Sequence, residues 1–107
     1  MTETAPQRDQ GPAAGQEFEF MIADRRRKLV GLWAAELLGL IGQAAHDYVR
    51  KLRNARRAHV VEDDDLLLEE LQKDLGGKAS HREIREKLIH FLHEARRQLM
   101  HEKKDPQ

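Results

Sequence analysis

Apolar residues recur at intervals of three, four and seven through most of this chain, which is the repeat of an α-helix with one buried face. The first stripe consists of Phe18, Ile22, Leu29, Trp33, Leu37 and Leu40. Gly39 and Gly42 come at its end, where glycine can adopt the left-handed backbone conformation that terminates a helix. No segment shows the sustained period-two alternation of a β-strand. The pattern therefore predicts an all-α fold.

Two shorter helices are predicted next. The second helix is expected from Gln43 to about Ala58, with one apolar face and one basic face. The third is expected to follow the aspartates at 63–65, because carboxylates cap a helix N-terminus and interact favourably with its dipole. Gly76 and Gly77 are expected to end it.

The last predicted helix has the clearest start signal. Ser80 and Glu83 have the spacing of a capping box, and an apolar stripe then continues to about Glu102. The expected architecture is a four-helix bundle over residues 17–104. Residues 1–16 are expected to form a disordered tail, because they contain two prolines and no periodic apolar residue.

Composition excludes several classes of function. The chain has 107 residues, enough for one domain, and no cysteine, so disulfides, a thiolate nucleophile and cysteine-based metal sites are excluded. The longest apolar run, residues 29–45, contains Glu36 and three glycines and is shorter than a membrane span, so we expect a cytoplasmic protein without membrane insertion. No nucleophile, carboxylate pair or phosphate-binding loop indicates catalysis, so no enzyme activity is expected.

Six histidines raise the possibility of a metal site. His90 and His93 are three residues apart and share a helix face. His101 lies further along the same predicted helix, and Glu86 and Glu94 are nearby. However, no known metal-binding spacing occurs, so we expect solvated histidines and neither a metal nor another cofactor. His46, His59 and His81 are isolated and carry no predicted role.

Basic residues are concentrated in two runs. Residues 50–57 contain five cations and no acid, which could contact nucleic acid phosphates, but aromatic residues for base stacking are missing. Net charge is +3 over residues 1–60, −6 over 61–75 and +3 over 76–107, so the acidic third helix could compensate the basic second one. We expect the basic run at residues 50–57 to orient helices or to face an acidic partner. The run at residues 25–28 is expected to be a solvated face, and Trp33 to lie in the core, with a partner-facing Trp33 as the alternative.

The sequence RRRKLVGLWAAELLGL at residues 25–40 closely resembles the signature of the zeta subunit of alphaproteobacterial F-type ATP synthases. Residues 83–100 resemble the last helix of the same family, and the similarity extends over about four-fifths of the chain. The resemblance implies a four-helix bundle that inhibits ATP hydrolysis. An N-terminal segment would insert between catalytic subunits near the central stalk, with the alpha, beta and gamma subunits as partners, while the bundle remains outside.

The N-terminal segment departs from the inhibitory members of that family. Residues 1–15 contain two prolines, two glycines and no aromatic residue, whereas residues 16–24 retain an amphipathic, Phe-containing character. A proline inside a helix costs about 3 kcal/mol, and Pro12 would lie within an inhibitory helix formed by this segment. We therefore expect weakened inhibition of ATP hydrolysis. The partner-binding residues expected from the resemblance are Phe18, Phe20, Met21, Ile22, Arg25, Arg26 and Trp33.

Three alternatives remain open. The chain could keep the fold, lose inhibition and act as a protein-binding module. It could bind nucleic acid through the basic second helix, or use its histidines in a metal-dependent enzyme. The leading hypothesis is a regulatory subunit, monomeric when free, that is peripheral to the inner membrane when bound to the ATP synthase.

Overall fold

The computed structural model describes residues 13–56 and 62–104, and these residues form four α-helices. Helix α1 spans Ala13–Leu37, α2 spans Gly42–Asn54, α3 spans Asp64–Leu75 and α4 spans His81–Lys104, with a 3-10 turn at Gly76–Lys78. No strand occurs within the described residues. The predicted all-α fold with four helices is confirmed.

Helix α1 begins earlier than the predicted bundle start at Glu17. Residues 13–16 were assigned to the disordered tail, but they form the first turn of α1. Ala13 and Ala14 supply the highest intrinsic helix propensity, and no proline occurs between residue 12 and residue 106. The disorder predicted for residues 1–12 lies outside the described residues.

The other helix ends follow from glycines and caps. Gly39 and Gly42 have φ angles of 75° and 59°, so the predicted glycine stop after α1 is confirmed. Helix α2 ends at Asn54, earlier than predicted, and residues 57–61 lie outside the described residues. The capping box of α4 is present: Glu83 N donates to Ser80 Oγ at 3.1 Å, and Ser80 N donates to Glu83 Oε1 at 2.9 Å.

Helix α1 is the central element of the bundle. It packs along both α2 and α4, so it buries residues on more than one side and has no single apolar stripe. Val30, Ala34 and Ala35 are buried, whereas Leu37, which belongs to the predicted stripe, is exposed. At Gly31 an added Cβ would lie 3.3 Å from side-chain atoms of Leu52 and Val49, so glycine allows the close approach of α1 and α2.

The main core lies where α1, α3 and the first half of α4 meet, and α2 contributes Leu52 to it. It contains Val30, Ala34, Leu52, Leu67, Leu68, Leu71, Leu75, Ala79, Ile84 and Leu88. The apolar stripes predicted for α3 and α4 are therefore buried as expected. A second, smaller cluster joins the N-terminal half of α1 to the C-terminal half of α4 through Ile22, Ala95 and Leu99.

Candidate partner-binding site

Residues 16–24, the predicted insertion segment, form the N-terminal half of α1. Phe18 and Phe20 are half-buried on the bundle, and Phe18 packs against the smaller cluster. Met21 is 49% exposed, whereas the next residue, Ile22, is 1% exposed. The segment therefore presents Met21 to solvent while it is attached to α4 through Ile22.

Ile22 is one of the largest fully buried side chains among the described residues. It packs with Ala95 and Leu99 of α4, and Leu29 and Leu92 border the same cluster. A partner can contact the Ile22 side chain only after this part of α1 separates from α4. The partner-binding role expected for Ile22 thus stays a prediction, and its position in the bundle is that of a core residue.

Arg25 connects the same part of α1 to the end of α4. Its guanidinium donates to Gln98 Oε1 at 2.8 Å and to the two carboxylate oxygens of Glu102 at 2.9 and 3.1 Å. This hydrogen bond from Arg25 holds the pKa of the Glu102 carboxyl below its ordinary value. Because Glu102 is 56% exposed, solvent screens this ion pair, which serves mainly to align the two helices.

The expectation that residues 25–28 form a solvated face is wrong for two of the four residues. Arg26 is 3% exposed. Its NH2 donates to Asp64 Oδ1 at 2.5 Å and its NH1 approaches Leu88 O at 3.4 Å, while its buried Nε has no protein partner among the described residues. The arginine stem packs in the interior while the guanidinium reaches a carboxylate at the start of α3.

Arg27 is 4% exposed and has more polar partners than Arg26. Its Nε and NH2 donate to the two oxygens of Glu62 at 3.1 and 3.0 Å, and NH2 also donates to Glu70 at 3.2 Å. Its NH1 donates to the carbonyl of Leu52 at 2.7 Å. Because the planar guanidinium can satisfy all of these acceptors at once, Arg27 joins α1, α2 and the acidic region around α3.

The ion pairs of the acidic α3 region come mainly from α1, with a longer contact of 3.9 Å from Arg85 of α4 to Asp65, and not from the basic α2 as expected. Arg53 of α2 donates instead to both oxygens of Asp24 in α1, at 3.2 and 2.5 Å. Arg50 pairs with Asp47 of its own helix at 2.8 Å. Within residues 13–56 and 62–104, no ion pair joins α2 to α3. Of the basic run, Arg53 thus joins α2 to α1, which agrees with the prediction that this run orients helices.

The Asp24–Arg53 pair should make stability depend on pH. The hydrogen bond from Arg53 holds the pKa of Asp24 below its ordinary value of 3.8, so the pair stabilises the fold above that value. This stabilisation is lost as the pH falls through the lowered pKa. We expect Asp24→Asn to reduce the free energy of unfolding by up to about 1 kcal/mol at pH 6 and by much less at pH 3. Urea unfolding at both pH values measures this, and a difference independent of pH would contradict it.

A comparison with models of protein families identifies the family to which the chain belongs. The model described as ATPase inhibitor subunit zeta matches residues 8–98, which is more than four-fifths of the sequence. The chain belongs to this zeta family. Comparisons with curated proteins and with solved structures gave no match. The family resemblance inferred from residues 25–40 and 83–100 is confirmed.

In this zeta-family chain, the signature at residues 25–40 has a structural explanation. It contains the two buried arginines that bind the acidic region around α3, and the small residues Gly31, Ala34 and Ala35 that allow α1 to pack closely. Trp33 is half-buried against the main core, with Lys87 Nζ 5.8 Å from its ring centroid. The expected core contact of Trp33 is present, and its alternative role as a partner contact stays a prediction.

The histidines of the described residues all lie on the surface. His46, His81, His90, His93 and His101 are exposed, and His59 lies outside the described residues. No group of three or more potential ligands in the described part of the chain could hold a metal ion. Among the helices described, none is long and apolar enough to cross a membrane.

Proposed function

We propose that this zeta-family chain is a regulatory subunit that binds the catalytic sector of an F-type ATP synthase and restrains ATP hydrolysis. The family match over residues 8–98 carries this proposal. The partners would be the alpha, beta and gamma subunits, and the chain would be monomeric when free. It would be peripheral to the inner membrane only while it is bound to the ATP synthase.

The N-terminal half of α1 supports a role for residues 16–24 as the inserting segment. This segment is already helical, so the entropy of forming a helix at these residues does not have to be offset on binding. Met21 is exposed, and Phe20 lines the grooves on both sides of the segment. We therefore assign the first partner contacts to Phe20 and Met21, with the rest of the bundle outside the catalytic sector.

A second candidate is the same fold without inhibition, acting as a protein-binding module. The observation that favours it is the attachment of the segment to the bundle. Ile22 is buried against α4, and Arg25 is bound to Gln98 and Glu102. If these contacts persist in the complex, the segment cannot enter a deep site between subunits, and association would occur without inhibition.

The test is ATP hydrolysis by the isolated cognate catalytic sector, titrated with the full chain. We expect binding and partial inhibition. The double variant Phe20→Ala, Met21→Ala should weaken inhibition at least about tenfold, or 1.4 kcal/mol, because it removes the apolar contacts of the segment. Ile89→Ala is the matched control, since Ile89 is 54% exposed on the middle of α4, and it should leave inhibition unchanged.

The other outcomes separate the candidates. Association without inhibition would favour the protein-binding module, and absence of association would contradict the proposed function. Inhibition that is unaffected by the double variant but abolished by deleting residues 1–12 would show that the inhibitory element precedes the described residues.

A further inference from the structure

A groove follows the side of the molecule where α1 meets α2. It consists of one depression of about 320 Å³ beside Met21 and another of about 600 Å³ beside Leu32. Both are lined by Asp24 and Arg53, whose ion pair bridges the two helices between them. Leu99 of α4 also borders the depression beside Met21. We call the two depressions together the α1–α2 groove.

Apolar side chains are exposed at both ends of the α1–α2 groove. Met21 is 49% exposed and Leu32 is 42% exposed. Eleven residues separate them, which corresponds to three turns of α1 or about 16 Å. Val49 of α2 forms part of the floor beside Leu32. The groove can therefore accept the apolar face of a second helix about three turns long.

Positive charge is concentrated along the same groove. Its lining contains five basic side chains and two carboxylates, although the chain as a whole has no net charge. Lys28 is exposed on α1, and the side chain of Arg50 is 61% exposed on α2. Both cations line the depression beside Leu32, so a ligand that contacts Leu32 would also meet these two basic side chains.

We propose that the α1–α2 groove binds an acidic amphipathic helix of a partner protein. Apolar residues of that helix would contact Met21 and Leu32, and its carboxylates would pair with Lys28 and Arg50. The exposed apolar residues favour such a helix over a nucleic acid, which would need cations and aromatic stacking partners without an apolar floor. The proposal goes beyond ATPase inhibition: the groove shares Met21 with the proposed inserting segment, whereas Lys28, Leu32 and Arg50 lie outside that segment.

The experiment uses two fluorescently labelled amphipathic peptides of about 14 residues, which have identical leucine positions and carry either glutamate or lysine elsewhere. Fluorescence anisotropy measures their binding to the full chain. We expect the glutamate peptide to bind at least about tenfold more tightly than the lysine peptide, and its affinity to fall as salt screens the charges. Equal binding of the two peptides, or binding of neither, would overturn the proposal.

Matched variants locate the binding site. Lys28→Glu combined with Arg50→Glu should weaken binding of the glutamate peptide at least about tenfold. Arg97→Glu is the control for Arg50→Glu, because Arg97 is also exposed and also pairs with a carboxylate three residues away on its own helix. It should change the affinity less than about twofold, and circular dichroism should show that all variants are folded.

Other occupants of the groove give different results. If Arg97→Glu weakens binding as much as the groove variant does, the peptide responds to overall charge and the proposal is overturned. Tighter binding of a DNA duplex than of the glutamate peptide at equal salt would assign the surface to nucleic acid. A dimer in sedimentation that Lys28→Glu and Arg50→Glu dissociate would assign the groove to a second copy of the chain.

Discussion

Replacing Arg27 by alanine should lower the free energy of unfolding by about 3 to 5 kcal/mol. The side chain of Arg27 is 5% exposed and that of its partner Glu62 is 12% exposed, so the substitution leaves a largely buried carboxylate without its cation. It also removes the donor to the carbonyl of Leu52. Such a loss is a large share of the stability of a domain of this size. Urea denaturation followed by circular dichroism measures it.

Two further variants test the cause of that loss. Arg97→Ala removes an arginine that is 71% exposed and paired within its own helix, so it should lower the free energy of unfolding far less than Arg27→Ala does. Adding Glu62→Gln to Arg27→Ala should recover part of the stability, because it removes the unpaired charge. A loss below about 1 kcal/mol for Arg27→Ala would mean that this network contributes little to the fold.

The sequence predicts most reliably those helices that are buried on one side. The stripes of α3 and α4 bury the expected leucines, and the capping box at Ser80 and Glu83 has the predicted hydrogen bonds. In these elements local propensity, periodicity and capping all agree. The start of α1 is less well predicted, because prolines and glycines near residue 12 hide the helix propensity of Ala13 and Ala14.

The buried arginines could not be predicted from local pattern. Four consecutive cations at residues 25–28 look like a solvated surface, because their carboxylate partners are distant in sequence. Glu62 and Glu70 follow Arg27 by 35 and 43 residues, and only the packing of the acidic α3 region on α1 brings them together. The net charge of −6 over residues 61–75 was the available signal, but the adjacent basic helix offered a source of compensating charge that is nearer in sequence.

The α1–α2 groove was missed for a related reason. Leu32 lies one position before Trp33, and the apolar stripe predicted for α1 contains Trp33 but not Leu32. Because α1 contacts both α2 and α4, its exposed strip is narrow and contains apolar as well as charged residues. A single period-3.6 stripe cannot represent a helix with two buried sides. The exposed residues of such a helix become apparent only from the packing.

The same two-sided packing gives Ile22 a structural role in the bundle, beside its predicted role in partner binding. Phe18 and Ile22, one turn apart, could seat in a partner groove by spacing alone, but in the bundle both contact the cluster between α1 and α4.

We therefore expect Ile22→Ala to lower the free energy of unfolding by about 2 to 5 kcal/mol, because it leaves a cavity against Ala95 and Leu99. The adjacent Met21→Ala should change it by no more than about 0.5 kcal/mol, since half of the Met21 side chain already contacts solvent. Thermal unfolding distinguishes the two, because each kcal/mol shifts Tm by about 4 to 8 °C in a domain of this size. Equal shifts would show that the segment does not pack on α4 in solution, and the Ile22 side chain would then be available to a partner without any rearrangement of α1.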